Sequence, residues 1–143
     1  VEISRRTSGF DEPQLQRLTD GEQLQRLQRD LAQLPVPDPV AHYAARLILA
    51  SHPEQEDAPE DVRRYVSYGA SPRGLQALIR GARVRAAVQG GTAVSCEDIH
   101  AMAYPALRHR IILNFEGEAR QMKVDALIAQ ILEQVQTPAR MAA

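Results

Sequence analysis

Cysteine is almost missing from this 143-residue chain: Cys96 stands alone, which excludes an internal disulfide framework and a cysteine-rich zinc site. Tryptophan is missing altogether, and the aromatics are only Phe10, Tyr43, Tyr65, Tyr68, Tyr104 and Phe115. The sequence therefore predicts no aromatic-lined ligand pocket, and a core built from Leu, Ile, Val and Ala. No run approaches roughly 18 consecutive apolar residues, so no membrane insertion is expected, and the first residues carry no signal-peptide pattern. Of the 17 basic side chains only Lys123 is a lysine, a bias that a GC-rich genome explains better than a binding role. Net charge is −1, which removes the simplest case for whole-surface attraction to nucleic acid or anionic lipid.

What is there describes one folded domain. The chain is 44% hydrophobic and 24% charged, too apolar for intrinsic disorder and long enough for one core. A cytoplasmic domain is the expectation, and a start at Val1 rather than Met predicts an excised fragment or a processed product. Charge is uneven. Residues 1–59 hold 6 basic and 10 acidic side chains, residues 60–110 hold 8 against 4, and residues 111–143 hold 3 against 4. The middle third is where an anion would be drawn.

Hydrophobic spacing predicts an all-α fold, a small helical bundle of about five helices. Thr19-Asp20 offers an N-cap, followed by Leu24, Leu27, Leu31 and Leu34 at three- and four-residue spacing, until Pro35-Val36-Pro37 ends the helix. Asp38 as cap and Pro39 in the first turn open a second, antiparallel helix with Val40, Tyr43, Ala44, Leu47 and Ile48 facing inward, closed by His52-Pro53. Residues 53–61 read as an acidic, proline-punctuated loop, and Tyr65–Gly69 as an extended run into Ser71-Pro72. Ser71 caps and Pro72 opens a third helix to about Gln89, with Leu75, Leu78, Ile79, Ala82 and Ala86 buried and Gly90-Gly91 as its stop. Ser95 and Asp98 form a capping-box variant for a fourth, carrying Ile99, Met102, Ala103 and Leu107, which Pro105 kinks or ends. Ile111-Ile112-Leu113 reads either as a buried extended segment or as the tail of that helix. A last helix, Val124 to Gln136, places Leu127, Ile128, Ile131, Leu132 and Val135 on one face, with a frayed tail from Thr137.

Residues that could carry chemistry are few. The chain has no GxSxG, no HExxH, no glycine-rich phosphate loop and no acidic pair in an apolar setting. His42, His52, His100 and His109 never fall at a metal-ligand spacing, so no metal site is expected. The helix dipole at Cys96 would lower its thiol pKa, although a small half-buried residue after a cap is the simpler reading. The informative stretch is Tyr68-Gly69-Ala70-Ser71-Pro72-Arg73-Gly74. It puts Arg73 in the first turn of a helix, where the macrodipole disfavours a cation by roughly 0.3–1 kcal/mol. A helix N-terminus is itself an anion site, and a guanidinium fork suits a phosphate. Arg73, Gln76, Arg80 and Arg83 fall along one helical stripe. The alternative is that these are ordinary solvated arginines.

Four blocks resemble the lid of MoxR-type AAA+ ATPases, in that family's order and spacing. They are Val66-Ser67-Tyr68-Gly69-Ala70-Ser71-Pro72-Arg73-Gly74, Ala82-Arg83-Val84-Arg85-Ala86, Val94-Ser95-Cys96-Glu97-Asp98-Ile99, and Leu107-Arg108-His109-Arg110-Ile111-Ile112-Leu113-Asn114-Phe115-Glu116. The resemblance covers most of residues 20–136, and Val1-Glu2-Ile3-Ser4-Arg5-Arg6 resembles the last helix of the family's ATPase core. It departs at Arg120-Gln121-Met122-Lys123, where the family has an acidic, glycine-containing approach to the last helix.

The resemblance implies an end of the ATPase core and linker at 1–18, a helical lid at 19–137 and a disordered tail at 138–143. It implies Walker A and Walker B motifs upstream, ATP and Mg²⁺ in the full-length protein, a homo-oligomeric ring and a client protein acted on by chaperone-like remodelling. It implies that Arg73 is the sensor 2 arginine, reaching ATP phosphates in its own or a neighbouring subunit, with Ser71 and Pro72 beside it at the nucleotide. Arg108 and Arg110 match the family without an assigned role; interface or structural contact is expected. The fragment alone is expected to be inactive, since the motifs that hold and hydrolyse ATP are not in it. The rival reading is a helical protein-interaction or nucleic-acid-binding module with no nucleotide role. Nucleic acid is disfavoured by the net charge and by the shortage of lysine and stacking aromatics.

Overall fold

Asp20 opens the first helix. Its backbone is extended and its carboxylate accepts the Gln23 amide at 2.8 Å, so α1 runs Gly21–Gln33. This computed structural model describes residues 16–138. The expected core end and linker at 1–18 therefore lies outside the described residues except for 16–18, and the expected tail at 138–143 except for Pro138.

Helix α1 is amphipathic, but its leucine stripe is not core. No residue of α1 is buried, and Leu24 and Leu27 are 50% and 58% exposed. Only the residue that caps its end, half-buried Leu34, packs against the core. Helical periodicity marks one apolar face; it does not say what covers it. Past the proline turn, α2 spans Asp38–Leu49 and buries Val40, Tyr43, Ala44, Leu47 and Ile48 as the spacing predicts. Its cap position belongs to Pro37, not Asp38. Asp38 lies inside the first turn without a capping bond, where its charge still suits the helix dipole.

The acidic loop ends two residues earlier than expected, at a short helix α3 over Glu60–Tyr65. The extended run that follows is β1, Val66–Tyr68, and it pairs antiparallel with β2, Ile112–Leu113, with Val66 opposite Leu113 and Tyr68 opposite Ile112. Ile111–Leu113 is thus the approach to a strand, with Ile111 buried and Ile112 facing solvent. The central pair is α4, Pro72–Val88, against α5, Cys96–Leu107. Ser95 and Asp98 complete a capping box at the head of α5, and Pro105 lies within that helix without ending it.

Two short elements complete the chain: α6, Phe115–Ala119, and α7, Val124–Gln134. Seven helices among the described residues replace the expected five, the additions being the five- and six-residue α6 and α3. The last helix stops at Gln134, because Val135 is already extended, and Val135 packs against the core from outside it.

Helices α4 and α6 end alike. Gly91 and Gly90 return their amides to Ala86 and Ala87 at 2.8 and 3.0 Å; Met122 and Gln121 return theirs to Gly117 and Glu118 at 3.0 and 2.9 Å. Both are Schellman closures, which put one residue in left-handed backbone. In α4 that residue is Gly90, with φ +74°; in α6 it is Gln121, with φ +54°.

The core is one cluster. Tyr43, Leu47, Leu78, Ile99, Leu107, Leu127, Ile128 and Ile131 are its largest fully buried members, from α2, α4, α5 and α7. Each Leu or Ile there contributes about 1.5–3 kcal/mol of transfer free energy. Arg83 fixes the end of α1 by donating to the Leu34 carbonyl at 3.0 Å.

Candidate functional site

The segment entering α4 is held from both sides. Ser51 and His52 follow α2 in the turn that closes it. The Ser51 hydroxyl donates to the Ile48 carbonyl at 2.6 Å and accepts the Ala70 amide at 2.9 Å. His52 Nε2 lies 3.0 Å from the Ala70 carbonyl. Gly69 passes so close that a Cβ there would sit 2.6 Å from the Ser51 carbonyl oxygen and 2.8 Å from the His52 ring. Only glycine fits this approach.

From this anchor the chain turns into α4. Ser71 takes the cap position in extended backbone and Pro72 the first helical position, where its fixed φ is already helical. Ser71 does not cap with its side chain, contrary to the expectation; the turn is closed by its carbonyl, which accepts the Gly74 amide at 2.7 Å. No acidic residue lies in the first turn. Arg73 is exposed, and no hydrogen bond or ion pair holds it among the described residues. A permanent cation therefore sits at the positive end of a 17-residue helix with nothing in that turn to neutralise either. A phosphate would satisfy both.

The other stripe residues do different work. Arg83 is spent on the Leu34 carbonyl, while Arg80 and Arg83 line an open groove of about 580 Å³ between α1 and α4, with Gln28, Leu31, Ala32 and Val84. Arg73 does not line it. Arg110 lays its stem against Gly74, its Cδ 3.4 Å from where a Cβ would stand, and donates to the Ala106 carbonyl at 2.6 Å. Arg108 forks onto Asp125 at 2.9 and 2.8 Å, joining the end of α5 to the first turn of α7. Both contacts are structural.

Other candidates resolve simply. His42, His100 and His109 are exposed, and no cluster of three metal-ligating side chains occurs among the described residues. Burial pushes the Cys96 thiol above its ordinary pKa, with Arg46 pulling the other way, in keeping with the simpler reading of Cys96 as a small half-buried residue after the cap. Sequence reading missed Ser51 and His52 as anchors of the α4 entry; they lie 19 and 18 residues from their partner, and no local pattern marks such contacts. It also missed the brace beside β1. There Arg64 and Arg120 both bond Glu116 while stacking 5.2 and 5.7 Å from the Tyr65 ring, and Asn114 caps α6.

The site thus sits on a mostly helical bundle whose central α4–α5 pair is entered through a Ser-Pro-Arg turn. The chain belongs to the AAA lid domain family, whose model matches residues 58–131. It is similar to chaperone MoxR1 of Mycobacterium tuberculosis, 29% identical over 130 residues that cover 91% of this chain and 34% of that protein. It is also similar to protein MoxR of Paracoccus denitrificans, 39% identical over 80 residues, or 55% of this chain and 24% of that one. A solved structure from Cytophaga hutchinsonii, provisionally designated an ATPase, superposes with TM-score 0.85 at 30% identity over 94% of this chain and 41% of that one. The chain thus spans about a quarter to a third of the length of these curated relatives. No helix among the described residues is long and apolar enough to cross a membrane.

Proposed function

We propose that residues 19–137 are the lid of a MoxR-like, cytoplasmic AAA+ ATPase, attached through residues 1–18 to an ATPase core, and that Arg73 is its sensor 2 arginine. The observation that carries this is the exposed Arg73 in the uncapped, acid-free first turn of α4. Its fork neutralises charge on the terminal phosphate as the bond to it breaks, and Ser71 and Pro72 set the turn that presents it. The core supplies the phosphate-cradling loop and the Mg²⁺ ligands, which the 143 residues do not contain.

The lid alone neither hydrolyses ATP nor binds it tightly. One arginine contributes about 1.5–3 kcal/mol through charged hydrogen bonds, against the roughly 8 kcal/mol of micromolar affinity. Full-length chains assemble as a homo-oligomeric ring, and ATP-driven movement between core and lid remodels a client protein. The similarity to a protein named a chaperone supports this reading.

ATP turnover by the full-length protein tests it. Arg73→Ala lowers turnover about tenfold or more, equivalent to roughly 1.4 kcal/mol of lost transition-state stabilisation. Arg73→Lys recovers part of the rate, keeping the charge but losing the fork. Arg80→Ala, facing the α1 groove, does much less. Parental turnover for Arg73→Ala would end the proposal.

A further inference from the structure

We propose that Ser51 and His52 are positioning residues for Arg73: by gripping Gly69 and Ala70 they fix where α4 begins and hence where the guanidinium is presented. The inference rests on the reading of Arg73 as the phosphate-facing residue.

Both backbone polar groups of Ala70 are bonded by side chains, its amide to Ser51 and its carbonyl to His52. A carbonyl can only accept, so His52 Nε2 carries the proton. Its Nδ1 lies 3.4 Å from the Glu54 carboxylate. Ser51 is fully buried, and its hydroxyl is committed to both Ile48 and Ala70. The grip is steric as well, since Gly69 runs against the Ser51 carbonyl.

From Ala70 to Arg73 the path is short and stiff. Pro72 locks φ, Gly74 closes onto Ser71 at 2.7 Å, and a Cβ on Gly74 would stand 3.2 Å from that of Ala70, so the first turn rests directly on the clamped residue. A displacement at Ala70 passes to Arg73 with little slack to absorb it. The clamp therefore couples the end of α2 to the phosphate-facing turn.

The test measures ATP turnover and thermal melting of the full-length protein carrying His52→Ala, His52→Asn or His52→Gln, each with and without Arg73→Ala. The His52 side chain is 29% exposed, so replacing it leaves no sealed cavity. His52→Ala is expected to lower kcat about tenfold while leaving KM for ATP and the melting midpoint near parental values, as misplacement of a reacting group does. Gln carries an amide donor near the Nε2 position and restores most of the rate. Asn, whose amide falls short of the Ala70 carbonyl, folds equally well and does not. In the Arg73→Ala background, His52→Ala has no further effect. Parental kcat for both His52→Ala and His52→Asn overturns the clamp, as does an undiminished loss in the Arg73→Ala background. Parental turnover for Arg73→Ala alone instead overturns the reading of Arg73, so the two failures are told apart.

Discussion

Arg85 on α4 pairs with Asp98 on α5, and the same carboxylate caps the helix it lies on. Asp98 is 4% exposed, and burial by itself would oppose its ionisation. The Ser95 hydroxyl and amide, at 2.7 and 2.9 Å, together with Arg85, outweigh that penalty and hold the carboxyl below the usual carboxylate range.

Because Asp98 is easier to ionise folded than unfolded, its contribution is complete above the unfolded value of about 3.9. It shrinks below that and is lost as pH falls through the lower folded value. Urea titrations of this chain should therefore show stability declining below about pH 4. Asp98→Asn should cost about 1–3 kcal/mol at neutral pH and flatten the acid dependence. An unchanged acid limb would mean that other carboxylates govern it.

Two leucines separate core from stripe. Leu78 is fully buried and Leu27 is 58% exposed. Leu78→Ala should cost about 2–5 kcal/mol in urea and Leu27→Ala no more than about 0.5 kcal/mol. Comparable costs would show α1 seated on the core.

Gln121 holds the left-handed position that Gly90 fills in the matching closure of α4. Left-handed backbone costs a side-chain-bearing residue about 1–2 kcal/mol, and glycine's greater unfolded-chain entropy offsets about 0.5–1 of it. Gln121→Gly should raise stability by about 0.5–1 kcal/mol, read as a higher urea midpoint at constant slope. A loss would mean the Gln121 side chain makes up the difference.

The legible part of the fold was the part with enough turns to repeat. α1, α2, α4, α5 and α7 each carry an apolar stripe over 11 or more residues. The six-residue α3, the five-residue α6 and the β1–β2 pair are too short to show a period of 3.6 or 2. Leu24 and Leu27 misled because an apolar face looks the same covered or bare. The placement of Arg73 was legible, since Ser71-Pro72 marks a helix start and puts a cation in its first turn. Arg83, further along the same stripe, has its partner, the Leu34 carbonyl, 49 residues away, where no local pattern marks it. Ser51 and His52 break no local rule.

The central claim, that Arg73 faces a nucleotide phosphate, is tested most directly by a structure of the full-length protein with Mg²⁺ and a non-hydrolysable ATP analogue. The measurement is the distance from the Arg73 guanidinium nitrogens to the nearest terminal-phosphate oxygen, in the same or the adjacent subunit. The account predicts a charge-assisted contact of about 2.7–2.9 Å, with the Ser51–Ala70 and His52–Ala70 bonds intact. An Arg73 turned to solvent while another arginine of this lid holds the phosphate would contradict it.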